Sequence, residues 1–96
     1  MIVWSDEAKK TYEAVIDDIL KKWPVNVALD FEEQTNDLLD RLLDNKQLCP
    51  PTKHKSLRKC VIHRNASLIY KVNRKNIELV TFIFNKDDHQ FYEYSK

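Results

Sequence analysis

Apolar residues recur at two different periods along this chain of 96 residues. Ala8, Tyr12, Val15, Ile16, Ile19, Leu20 and Trp23 are spaced by three and four, which places them on one face of a helix. Ser5 followed by Asp6 and Glu7 gives that helix an N-cap and acidic residues where the helix dipole favours them. Asp17 and Asp18 precede Lys21 and Lys22 by four, and Trp23-Pro24 ends the run. Beyond the proline, Asn26 is positioned to cap a second helix in which Ala28, Phe31, Thr35, Leu38, Leu39, Leu42 and Leu43 form another stripe, ending near Asn45. Two amphipathic helices joined so briefly predict an antiparallel αα-hairpin.

After Cys49-Pro50-Pro51-Thr52, where no helix can continue, the period changes. Residues 57–63, 66–73 and 76–84 are rich in Val, Ile, Tyr and Phe and contain no proline, so they read as three strands of an antiparallel meander. Residues 1–4 form a short apolar run before the first cap. The chain has no glycine, so any turn position needing positive φ falls to Asn65, Asn73 or Asn76. The elements predict an α+β fold of order β-α-α-β-β-β, a single domain over 1–96, with an antiparallel sheet and an αα-hairpin packed on one face. The opposite face, with Ile69 and Lys71 on one side of a strand whose other side carries Leu68, Tyr70 and Val72, is expected to be open to a ligand or partner.

At 43% hydrophobic and 32% charged residues, with ten aromatics, the chain has enough apolar material for a core of its own. The missing glycine excludes the P-loop and the Gly-x-Gly-x-x-Gly dinucleotide turn. No apolar run approaches the roughly 18 residues of a membrane span, and the N-terminus lacks the pattern of a signal peptide. A cytoplasmic protein is the simplest expectation, and in that compartment Cys49 and Cys60 are expected to be reduced packing thiols. Cys49, His54, Cys60 and His63 do not follow zinc-finger spacing, and no metal or cofactor is expected.

Charge divides the chain. Residues 1–50 hold six Lys/Arg against eleven Asp/Glu, and residues 51–96 hold ten against four. Between Asp44 and Glu78 there is no carboxylate, while Lys46, Lys53, Lys55, Arg58, Lys59, Arg64, Lys71, Arg74 and Lys75 contribute nine cations. These charges repel one another, so the segment is suited to an anionic partner. The candidate partner or nucleic-acid contacts are Lys53, Lys55, Arg58, Lys59, Arg64, Lys71, Arg74 and Lys75.

Specific motifs carry a resemblance. Ile2-Val3-Trp4-Ser5-Asp6-Glu7-Ala8, the helix ending at Trp23, Ala28-x-x-Phe31, Ser67-Leu68-Ile69-Tyr70-Lys71-Val72 and Ile77-Glu78-Leu79-Val80-Thr81-Phe82-Ile83-Phe84 together resemble the RelE/ParE superfamily of bacterial toxins from type II toxin-antitoxin modules. The resemblance implies the same β-α-α-β-β-β fold, and a growth-arresting toxin neutralised by a cognate antitoxin. One branch cuts messenger RNA on the ribosome; the other poisons DNA gyrase.

Cleavage needs a group to take the 2′-hydroxyl proton, cations for the phosphate and a donor for the leaving oxygen. The basic residues of the cutting branch fall on positions that here read Arg58, Cys60, Ser67 and Asp87, and only Arg58 is a cation. Asp87 beside Asp88 would repel the developing anion. The expected reading is therefore a ParE-like gyrase inhibitor rather than an enzyme. The alternatives are a ribosome-dependent endoribonuclease using substitutes drawn from Arg58, Arg64, Lys71, Lys86, His89, Tyr92 and Tyr94, and a non-toxic binding module. In the leading reading an acidic segment of the antitoxin covers the basic stretch and the exposed sheet face.

Overall fold

Ser5 separates a three-residue strand from the first helix. Its side chain accepts a hydrogen bond from the Ala8 N–H at 3.0 Å, which leaves β1 (Ile2–Trp4) on one side and starts α1 (Asp6–Lys22) on the other. The chain is seen in a computed structural model that describes residues 1–54, 56–63 and 66–85. Trp23 leaves α1 in an extended conformation, and α2 (Val25–Asp44) follows at once. Its cap is Pro24 rather than Asn26, because the fixed φ of the proline ring already turns the chain; Asn26 lies within the first turn. The Lys22 ammonium meets Asp18 at 3.0 Å, as the spacing of four predicts.

Three further strands follow: β2 (Arg58–His63), β3 (Ala66–Val72) and β4 (Ile77–Phe84), each within a residue of its expected limits. The sheet order is β1-β4-β3-β2, with the meander antiparallel and β1 lying parallel to β4. Both helices pack on one face, where Val15, Ile19, Phe31 and Leu42 meet Cys60, Leu68, Tyr70, Leu79 and Phe82. Leu20 and Leu43 sit at the margins of their stripes and stay 46% and 51% exposed.

Between Ile69 and Tyr70 the register against β4 shifts, so that Ile69 faces Thr81 while Tyr70 faces Leu79. The extra residue, Val80, offers its carbonyl to the Ser5 hydroxyl at 2.9 Å. The Thr11 hydroxyl oxygen accepts the Phe82 N–H at 2.9 Å, so the bulge docks the start of α1 on the sheet.

Three further expectations are corrected. Cys49 and Cys60 are not separate thiols but a disulfide, with Cα atoms 5.3 Å apart. The reason is register: Pro50-Pro51 lays the chain antiparallel beside β2, Pro51 bridges Arg58, and the Lys59 N–H donates to the Pro50 carbonyl at 3.2 Å, which brings residue 49 level with residue 60. The β3–β4 turn closes with the Asn73 N–H on the Asn76 carbonyl at 2.8 Å, and among the described residues no side-chain-bearing position has positive φ. Neither Asn73 nor Asn76 is therefore needed in the left-handed region; Asn65 lies outside the described residues. Finally, the face opposite the helices is not wholly open, because Ser67 and Ile69 on the central strand β3 are fully buried.

Candidate functional site

Among the described residues between Asn45 and Leu57 there is no helix and no named strand, yet several of their backbone polar groups find partners. The Asn45 side chain accepts the Gln47 N–H at 3.1 Å, and its carbonyl accepts the Leu48 N–H at 3.1 Å. Thr52 is buried and does double duty: its hydroxyl oxygen accepts the His54 N–H at 3.1 Å, while its own N–H donates to the Leu57 carbonyl at 2.9 Å. Lys53 is presented on this turn.

Cys49 is the point where the loop joins the sheet. Its sulfur is bonded to Cys60, its N–H donates to the Tyr70 hydroxyl oxygen at 3.3 Å, and its carbonyl accepts Nη1 of Arg58 at 2.6 Å. The Tyr70 hydroxyl donates onward to the Lys46 carbonyl at 2.9 Å. Burial pushes the Tyr70 phenol above its ordinary range, opposed by the Cys49 hydrogen bond and by the positive charge of Arg58.

Replacing Tyr70 by Phe strands the buried Cys49 N–H and leaves the half-buried Lys46 carbonyl without this donor, and is expected to cost about 1–3 kcal/mol in urea unfolding near neutral pH. The sign of the pH effect follows from the raised folded-state pKa. The neutral phenol stabilises the fold below about pH 10, and this contribution is lost as pH rises because the unfolded state ionises first. The wild type is therefore expected to lose stability more steeply than Tyr70→Phe above about pH 10. Parallel unfolding curves for the two proteins across that range would refute this.

Of the cations singled out in the sequence, the structure brings Arg58 and Lys71 into one groove. Together with Gln47, Ser56, Val72 and Asn73 they line an open volume of about 470 Å³ between the loop and the β3–β4 end of the sheet. Lys71 faces Glu78 across the β3–β4 pair, with Nζ 3.7 Å from its carboxylate. Arg74 and Lys75 stand on the adjacent turn, and Lys59 pairs with Ile69 along β2. His63 belongs elsewhere: its ring lies T-shaped to Phe31 and lines a separate groove along α2 with Asn26, Asp30 and Glu33. Lys55, Arg64, Lys86, Asp87, His89, Tyr92 and Tyr94 lie outside the described residues.

The positions carried over from the RNA-cutting branch do different work here. Cys60 is buried in the disulfide, and Ser67 is fully buried with its hydroxyl donating to Oδ1 of Asn85. The Asn85 amide in turn donates to the His63 carbonyl at 2.9 Å, tying the ends of β2, β3 and β4 together. Arg58 keeps its charge, but one nitrogen of its fork braces the loop. With their sulfurs joined, Cys49 and Cys60 offer no thiolate to a metal ion. Sequence reasoning did not find Gln47, Ser56, Asn73 or Glu78. Glu78 alone had a visible signal, as the first carboxylate after Asp44.

Comparison with known proteins adds an independent line. Residues 2–88 match the family described as the ParE toxin of type II toxin-antitoxin system, parDE. Among solved structures, a chain of the chromosomal ParDE toxin-antitoxin system from P. aeruginosa superposes with a TM-score of 0.72 at 17% identity, over 86% of this chain and 92% of that one. A copper-bound mutant toxin from Helicobacter pylori gives a TM-score of 0.62 at 16% identity, over 88% and 92% of the two chains. At these identities the likeness is one of fold. No curated protein matches the sequence.

Proposed function

The chain belongs to the ParE toxin family of type II toxin-antitoxin systems, and we propose that it is a gyrase-directed member, arresting growth by binding DNA gyrase and not by cutting messenger RNA. One observation carries the choice of target. Two of the four positions at which the RNA-cutting relatives place cations are committed to structure here, Cys60 in a buried disulfide and Ser67 in a buried hydrogen bond to Asn85. Neither side chain can hold a phosphate as charge develops on it, so transition-state stabilisation of the kind cleavage requires is missing from that surface. Toxicity then rests on binding.

A toxin of this family has a cognate antitoxin as its partner. The carboxylate-free segment supplies the surface for it, with Arg58, Lys71, Lys53, Lys59, Arg74 and Lys75 as contacts and with binding that weakens as salt rises. This reading places the protein in the cytoplasm with its target; among the described residues no helix is long and apolar enough to cross a membrane.

Controlled expression in a bacterium tests the target. Growth arrest should come with a DNA-damage response and intact messages. Message 5′ ends mapped to codons in the ribosomal A site, abolished by replacing Arg58 or His89, would establish the endoribonuclease alternative instead. Normal growth would point to a binding module without toxicity.

A further inference from the structure

The groove at the β3–β4 end differs from the rest of the basic surface in how its donors are held. Its six lining residues are two cations, a hydroxyl, two carboxamides and one valine, and none is acidic. Arg58 enters it with Nη1 already fixed on the Cys49 carbonyl at 2.6 Å and near the Gln47 carbonyl at 3.5 Å. The guanidinium therefore has little rotamer freedom left to lose when an anion enters the groove. Lys71 is held less firmly. Its contact with Glu78 is long, at 3.7 Å, and the two side chains are 40% and 32% exposed, so this pair contributes little and exchanges readily.

We propose that this groove is an oxyanion site that takes a side-chain carboxylate from an acidic peptide segment, and that Glu78 is its built-in competitor, occupying Lys71 until that carboxylate arrives. The proposal rests on the reading that an acidic stretch of the antitoxin neutralises the basic half of the toxin. Carboxylate is favoured over phosphodiester by two features. Lys71 already engages a carboxylate. In addition, the groove is lined by two cations and by neutral donors within one bounded volume of about 470 Å³, whereas a nucleic-acid track needs cations spaced along a backbone.

The test uses the full chain titrated with a synthetic acetylated hexaglutamate peptide at about 0.1 M salt, followed by amide chemical shifts and by calorimetry. Shifts should centre on Gln47, Ser56, Lys71 and Asn73. Lys71→Gln should weaken binding roughly three- to tenfold, and Glu78→Gln should tighten it about two- to fivefold by removing the competitor. Glu13→Gln removes an equal charge from exposed α1 and should leave affinity unchanged, because screening confines charge effects to about 10 Å at 0.1 M salt.

Thermal unfolding of each variant establishes that it is folded before its titration counts. Equal tightening by Glu13→Gln and Glu78→Gln, or no tightening by either, would overturn the competitor role. Single-stranded DNA binding through Arg58 and Lys71 in place of the peptide would overturn the carboxylate assignment. Failure of the unaltered protein to bind the peptide, with DNA-damage toxicity present, refutes the groove alone. Message cleavage with peptide binding retained refutes the gyrase reading alone.

Discussion

Reduction of the Cys49–Cys60 disulfide is expected to lower the unfolding free energy by about 3 kcal/mol, the chain-entropy value for a loop closed by residues 11 apart in sequence. For a chain of this size that corresponds to a fall in Tm on the order of 15 °C. The bond does more than shorten the unfolded chain's freedom, because Cys49 also anchors Arg58 and Tyr70. In the reduced protein the loop from Asn45 to Leu57 should become the first segment to exchange its amides, and the double substitution Cys49→Ser with Cys60→Ser should behave alike. Both half-cystines are buried, at 8% and 2% exposure, so exchange with an external dithiol requires this loop to open. Alkylation in denaturant measures the pairing: no label before reduction and two labels after it. Two labelled thiols in protein isolated without reductant, or an unchanged Tm on reduction, would contradict the assignment.

That disulfide also marks where the sequence was silent. Compartment and cysteine number argue for free thiols, whereas pairing is decided by the local register that Pro50 and Pro51 impose against β2. A register between an irregular segment and an edge strand leaves no periodic signal. Periodicity did reveal both helices and the three meander strands, because each stripe or alternation reports a face that must be covered. It did not reveal that β1 lies parallel to β4, since residues 1–4 are too few to show a pairing preference. The cap of α2 was misassigned to Asn26 because a proline can set the entry angle with no side-chain hydrogen bond.

The candidate site was half legible for a related reason. A gap in carboxylates from Asp44 to Glu78 is a property of composition and can be read directly. Which cations converge is a property of the fold. Arg58 and Lys71 stand on neighbouring strands and share a groove, while Cys60 and Ser67, two residues that a family pattern would direct to chemistry, are consumed by packing and cross-strand bonds. Gln47 and Ser56 entered the groove, beside Asn73 of the β3–β4 turn, only because the loop is held against the sheet, and no spacing rule links them.

Replacing Phe31 by Ala is expected to have the largest effect of any single change, about 3–5 kcal/mol, enough to remove a fifth or more of the roughly 5–15 kcal/mol typical of a domain. Phe31 is fully buried and joins several elements at once. Its ring stacks on Tyr12 of α1 with centroids 5.7 Å apart and lies T-shaped to His63 of β2 at 6.3 Å. Tyr12 in turn contacts Phe82 of β4 at 5.1 Å and Trp4 of β1 at 5.4 Å. Truncation at residue 31 leaves a cavity and also removes aromatic pairs worth about 1 kcal/mol each, so the loss should exceed that of an aliphatic position of equal burial. Phe31→Leu, which retains most of the volume but not the stacking, should cost about half as much. Leu29→Ala on the same helix, at a position 59% exposed, should cost less than about 0.5 kcal/mol. The three variants compared by urea unfolding decide whether the aromatic chain, and not apolar area alone, fixes the hairpin to the sheet. A Phe31→Leu loss as large as that of Phe31→Ala would assign the stability to ring stacking, and equal small losses for all three would show that the hairpin is held elsewhere.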